Sequence, residues 1–203
     1  MHIEIGVARA MKNHLFRTMF EERKRVFVDL LGWDVPVLAG RYEIDQFDND
    51  RAVYLVIADE NGEHLGSARL LLTTEDHILG TIFPDLCEAP PPRGGGILEI
   101  TRFCLARRLR ARERLEVRNQ LVSALVEYAV RHQIRSYTGV AEWSWFQQVL
   151  SFGWSCRALG VPRADTARSL VALQIDIDGR TRENLRASGI LRAVGLADLA
   201  AAA

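Results

Sequence analysis

Leu15, Phe16, Met19, Phe20, Arg23, Val26, Phe27, Leu30 and Leu31 recur at steps of three and four residues. That spacing puts their side chains on one face of a helix, and Gly32 supplies its stop. Two apolar, β-prone runs follow at 52–58 and 65–72. They are joined by Asp59-Glu60-Asn61-Gly62-Glu63, in which Asn-Gly provides the positive backbone angles of a tight hairpin turn. Residues 88–96 carry Pro90-Pro91-Pro92 and Gly94-Gly95-Gly96 and can be neither helix nor central strand, so they are expected to form a surface loop. Beyond the loop the pattern predicts a strand at 97–105 and an amphipathic helix at 114–132 with Leu115, Val117, Leu121, Val122, Leu125, Val126 and Ala129 on its apolar side. A strand at 136–140, a short helix at 143–150 and an alternating strand at 171–177 complete the series. Helix and strand alternate without repeats, which reads as one mixed α/β domain over residues 1–203.

Composition narrows the function classes without choosing among them. At 203 residues with 48% hydrophobic and 26% charged side chains, the chain can bury a proper core and is not of a disordered composition. Formal net charge is zero, so the whole molecule has no electrostatic bias toward nucleic acid or an anionic membrane, and any charged partner must be met by a local patch. The longest apolar runs are far short of a membrane span, and the N-terminus lacks a basic region followed by a hydrophobic core, so a cytoplasmic location is expected. Cys87, Cys104 and Cys156 are odd in number and have no CxxC or Cys/His ligand spacing. Neither a structural metal nor a disulfide framework is expected, and Cys104 reads as a small apolar filler.

The densest chemistry lies between Arg23 and Asp48, where Arg23, Phe27, Trp33, Glu43, Asp45 and Asp48 combine an arginine, two aromatics and three acids. With Arg69 in a predicted strand, Phe83 before a proline, and Glu99-Ile100-Thr101-Arg102, this series resembles the signature of the acyl-homoserine-lactone synthases, which make bacterial autoinducer signals. The matching positions run in order across roughly residues 20 to 105. Together with the element order, the resemblance implies a single-domain GNAT-like N-acyltransferase fold, a mixed and mainly antiparallel sheet flanked by helices. It also implies a reaction: the α-amine of S-adenosylmethionine attacks an acyl thioester, and the methionine carboxylate then displaces methylthioadenosine from the γ-carbon to close a lactone. S-Adenosylmethionine is a substrate here, and no cofactor is expected.

By the same resemblance, Arg23, Glu43, Asp45, Asp48 and Arg69 would hold the charged substrate. Phe27 and Trp33 would cover its adenosine or sulfonium by stacking and cation–π contact, and Phe83 belongs to the same set. Glu99 is the expected general base, with Arg69 and Arg102 beside the reacting groups. In a regular strand Arg102 would point to the face opposite Glu99, and a bulge would be needed to bring both to one site. Each residue also has an ordinary reading: core aromatics, an Asx cap, a structural ion pair. The ordered match of eight or more positions is what favours the functional one.

The second half carries weaker signals. Thr138 falls where family members often place a threonine able to hydrogen-bond a 3-oxo group, and it reads equally as a β-branched strand residue. Trp143 and Phe146 are expected to line an acyl-chain pocket in this half or to fill the core. Arg107, Arg108 and Arg110 stand in a turn without glycine, whereas many GNAT enzymes use a glycine-rich turn there to hold the pyrophosphate of coenzyme A. An arginine-rich turn suits the acidic surface and single phosphate of an acyl carrier protein, with acyl-CoA as the alternative donor; a solvated helix start balanced by Glu113 and Glu116 is the plainer reading. Nucleic acid and membrane are not expected partners. The acyl chain's length and 3-position oxidation, and the oligomeric state, are not legible.

Overall fold

The computed structural model describes residues 1–7, 14–162 and 169–198. Strand β1 (His2–Val7) is followed by helix α1 (His14–Arg23), which runs without interruption into a seven-residue π-helix at Lys24–Leu30. Two short strands, β2 (Val37–Leu38) and β3 (Tyr42–Glu43), precede the hairpin of β4 (Val53–Ala58) and β5 (His64–Leu72). A short helix α2 (Ile78–Thr81), a 3-10 turn (Pro84–Leu86), strand β6 (Ile97–Leu105) and the long helix α3 (Ala111–Arg131) come next. The chain continues through β7 (Ser136–Glu142), α4 (Trp143–Leu150), β8 (Ser155–Ala158), β9 (Leu170–Asp176), α5 (Thr181–Ala187) and β10 (Leu196–Asp198).

The chain divides into two compact units, Met1–Leu70 with Arg102–Ala124 and Ala193–Ala203, and Leu71–Thr101 with Leu125–Arg192. In the first, the strand order is β10-β1-β4-β5, parallel between β1 and β10 and antiparallel elsewhere. Leu15, Phe16, Met19 and Phe20 of α1 are buried in its core, as their spacing predicts. Asp59 builds the β4–β5 turn: its Oδ1 accepts the N–H groups of Asn61 and Glu63, and Gly62 adopts φ +76°. Gly66 of β5 is required by close packing, since a Cβ there would sit 2.7 Å from Val117 Cγ1. Cys104 is fully buried, an apolar filler whose thiol burial pushes well up from its ordinary value.

The second unit is ordered β6-β7-β9-β8, parallel between β6 and β7 and antiparallel beyond. The β6–β7 ladder is confined to Ile97–Glu99 against Ser136–Thr138, although β7 continues to Glu142. Both units are therefore mixed in strand direction, with α/β content and order as expected from the pattern. The sequence pattern did not reveal β1, β2, β3, β8, β10, α2 or α5, most of them too short to show a period.

One expectation fails inside the first helix. Leu30 was placed on the buried face with Phe27, yet it is 55% exposed. From Lys24 onward the turn widens to π geometry, so residues after Arg23 lose α-helical phase; Phe27 stays buried while Leu30 swings out. The end of the segment follows suit: Leu31 N–H reaches Val26 O and Trp33 N–H reaches Phe27 O, with Gly32 at φ +63° providing the left-handed stop.

Candidate active site

Three arginines and three acids of the first unit form one ion-pair network. Arg23 comes from the end of α1, Glu43 from β3, Asp45 and Asp48 from the loop behind it, Arg69 from β5 and Arg102 from β6. Arg23 Nε donates to Glu43 Oε2 at 2.6 Å, while its Nη1 and Nη2 fork onto Asp48 at 2.8 and 2.9 Å. Arg69 forks onto Asp45 at 2.6 and 3.0 Å and also reaches Asp48 Oδ1 at 2.8 Å. Arg102 donates through Nε and Nη2 to Glu43 Oε1 and through Nη2 to Asp45 Oδ2 at 2.8 Å. Forked arginine–carboxylate pairs fix geometry as well as charge, and three against three leaves the network neutral.

Asp48 is the keystone. Besides both arginines it accepts the hydroxyl of Tyr54 at 2.7 Å and the amide of Asp45 at 2.8 Å. Burial raises its carboxyl, but the charges and hydrogen bonds of Arg23 and Arg69 outweigh that and hold it well below the usual carboxylate range. Burial likewise works against the Arg23 charge, and Asp48 and Glu43 more than restore it, raising the guanidinium further above its ordinary value. Tyr54 was absent from the sequence-based site. It is the register partner of Arg69 across the hairpin, which sets the two side chains on one face; a Tyr-Arg pair recognisable only once that register is known.

Exposure is graded across the network. The side chains of Arg23, Glu43, Asp48 and Arg69 are at most 1% exposed, whereas Asp45 and Arg102 reach 5% and 9%. Arg23, Glu43 and Asp48 are thus the buried support, and Asp45 and Arg102 form the edge. Among the described residues Arg102 Nη1 has no hydrogen-bond partner. Phe27 and Trp33 stack at 4.7 Å with 18° between their planes, and the Arg102 guanidinium lies 5.6 and 5.8 Å from the two ring centroids. Arg102 reaches this position with φ +50°, unusual for a residue with a side chain and a departure from the extended backbone of a regular strand.

Glu99 lies in the second unit, fully buried. Its two carboxylate oxygens accept the N–H groups of Ile78 (2.7 Å) and Leu79 (2.8 Å), so a β6 side chain holds the start of α2. Its register partner in β7 is Thr138, also fully buried, whose Oγ1 has no hydrogen-bond partner. Phe83 packs on the apolar cluster of Leu79, Leu86 and Ala172, which gives it a packing role within this unit. Phe146 is buried on α4, and Trp143 beside it, 5.7 Å between centroids, is 40% exposed.

The three arginines of the turn before α3 part company. Arg108 is tied to His64 O and Asp59, whereas the exposed side chains of Arg107 and Arg110 have no partner among the described residues. Glu113 reaches back to the Arg110 amide at 2.9 Å, half of a capping box, and sets a carboxylate where α3 begins. Below Arg108, His64 is fully buried; Nε2 meets Ser67 Oγ at 2.9 Å and Nδ1 has no partner. Burial, with Arg108 and Arg23 nearby, pushes its imidazole down to about 3. Because the folded value lies below the unfolded one, stability from neutral His64 is complete above pH 6.5 and drains away as pH falls toward 3. The wild type should lose about 2 kcal/mol between pH 7.5 and pH 5. Denaturant titrations at the two pH values, repeated on His64→Gln, should show that loss largely abolished in the variant.

These features define an N-acyltransferase fold carrying a charged, aromatic-walled site. The GNAT-like architecture recurs in Escherichia coli ElaA, 16% identical, with a TM-score of 0.60 over 85% of this chain and 97% of that one. The profile of the autoinducer synthase family matches residues 8–185, and the chain belongs to that family; it is an acyltransferase of the acyl-homoserine-lactone synthase type. An acyl-homoserine-lactone synthase of Ralstonia nicotianae is 37% identical over 165 residues, covering 78% of this chain and 80% of that protein. The CoA-dependent acyl-homoserine lactone synthase MesI superimposes with a TM-score of 0.84 at 29% identity, over 97% and 99% of the two chains. TofI, in a ternary complex with an inhibitor and MTA, does so with a TM-score of 0.77 at 32% identity, over 92% and 97%.

Proposed function

We propose that the enzyme acylates S-adenosylmethionine from an acyl carrier protein and closes the product to an acyl-homoserine lactone, releasing methylthioadenosine and needing no cofactor. Arg102, Asp45, Phe27 and Trp33 would hold S-adenosylmethionine, Glu99 would act as general base, and Thr138, Trp143 and Phe146 would line the acyl pocket. One observation carries the reading: the network's charges balance, yet Arg102 keeps Nη1 without a hydrogen-bond partner among the described residues, and its guanidinium lies beside the Phe27–Trp33 stack. An α-carboxylate on Nη1 with the adenosine or sulfonium against the aromatics satisfies both groups, and Asp45 at the same edge faces the cationic end. Glu99 takes the proton from the attacking amine. Kinship to TofI, whose complex contains MTA, supports the nucleoside part.

A carrier-protein donor is supported by the unengaged Arg107 and Arg110 and by the Glu113 carboxylate at the start of α3, which disfavours a pyrophosphate there. Likeness to the CoA-dependent MesI favours acyl-CoA as the second reading. Purified enzyme given S-adenosylmethionine with acyl carrier proteins, and separately with acyl-CoAs, should form lactone and methylthioadenosine in equal amounts, faster from the carrier proteins. Turnover from CoA alone reverses the donor, and none from either overturns the reading. Arg102→Lys, which loses the open Nη1, should raise KM for S-adenosylmethionine about tenfold to a hundredfold.

A further inference from the structure

Five donors converge on the Asp48 carboxylate. Its Oδ1 accepts Arg23 Nη1 at 2.8 Å, Arg69 Nη1 at 2.8 Å and the Tyr54 hydroxyl at 2.7 Å, and its Oδ2 accepts Arg23 Nη2 at 2.9 Å and the Asp45 amide at 2.8 Å. They fill the roughly four lone-pair sites of a carboxylate, so Asp48 keeps no acceptor capacity for a substrate. The Tyr54 hydroxyl alone among them belongs to an uncharged side chain. Tyr54 is 1% exposed, and burial, with Asp48 beside it, pushes the phenol well up from its ordinary value, so the hydroxyl keeps its proton and donates.

This hydroxyl acts on the division of Arg69 between two acids. Arg69 Nη1 lies 2.6 Å from Asp45 Oδ1 and 2.8 Å from Asp48 Oδ1. Arriving at the same Asp48 oxygen, the hydroxyl holds that carboxylate where Oδ2 receives the Asp45 amide and Arg69 stays forked on Asp45. Without it, Asp48 Oδ1 is a freer acceptor that draws Arg69 away and leaves the Asp45 carboxylate to turn toward Arg102. Resting on the synthase reading above, we propose that Tyr54 is a positioning residue: through Asp48 and Arg69 it fixes the orientation of Asp45, and so sets the affinity for the cationic end of S-adenosylmethionine without touching it. Methylthioadenosine carries the same adenosine but neither the sulfonium charge nor the amino-acid arm, so it makes no demand on Asp45.

Tyr54→Phe removes the hydroxyl alone. The ring keeps its edge contacts with Phe16 (5.7 Å) and Phe20 (6.0 Å), and Asp48 keeps both arginines, so the variant folds. Calorimetric titration with S-adenosylmethionine and with methylthioadenosine, alongside steady-state lactone formation, tests the proposal. Kd and KM for S-adenosylmethionine should rise about threefold to tenfold, while kcat and the Kd for methylthioadenosine stay within about twofold. In an Asp45→Asn background the same substitution should add almost nothing. Equal weakening of both ligands makes the role of Tyr54 purely structural and overturns the proposal, as does unchanged affinity for S-adenosylmethionine or an undiminished effect in Asp45→Asn. A wild type that binds neither ligand and forms no lactone is instead the failure of the synthase reading, and the proposal falls with it.

Discussion

Asp48→Ala is expected to cost about 3–5 kcal/mol of folding stability, the range found when one partner of a buried ion pair is removed. Asp48 is the acceptor shared by Arg23, Arg69, Tyr54 and the Asp45 amide. Its removal leaves two guanidiniums in the interior with less opposing charge and one buried hydroxyl without its acceptor. Relaxation cannot bring water in cheaply, because Arg23 and Arg69 are themselves almost fully buried. Guanidinium titration of the two proteins at pH 7.5 measures the loss, and a difference under about 1 kcal/mol would show that the remaining acids can cover both arginines. The acid limb gives a second readout. The folded carboxyl titrates well below its ordinary value, so its stabilisation is full above about pH 4 and disappears as pH falls further. That limb, which begins near the acid end of the His64 window, should be missing from the variant.

Glu99→Gln should reduce turnover by at least about a hundredfold, the usual worth of a positioned general base or more. It should also destabilise modestly, by about 1–3 kcal/mol. Two amides converge on this carboxylate, and a glutamine offers one acceptor oxygen to them while its NH2 meets the other donor. The two roles separate by measurement: the anchoring role lowers the melting temperature, and the base role lowers kcat at saturating S-adenosylmethionine in protein that is still folded. Turnover within about threefold of wild type in folded Glu99→Gln would remove Glu99 from proton transfer and leave it as the anchor of α2. Glu99→Asp keeps the charge but withdraws it by one methylene, and should lie between the two.

The sequence by itself determined the elements long enough to show a period, the hairpin turn at Asn61-Gly62, and the identities of the residues in the charged network. Apolar spacing dictates which side chains can share a face, and the Arg23–Asp48 signature needs only order along the chain. It could not determine how those charges are spent. That Asp48 is a buried keystone and Arg102 the edge with an open donor follows from where Glu43, Tyr54 and Arg69 converge, contacts separated by up to 59 residues in sequence between Glu43 and Arg102. Nor does a periodicity argument anticipate the π-helix that turns Leu30 outward, or the positive φ at Arg102, since both are local departures from the period that such arguments assume. His77 carried no signal at all. Tertiary structure alone decides that it is fully buried directly before Ile78 and Leu79, whose amides hold the Glu99 carboxylate, and that its Nε2 has no partner among the described residues.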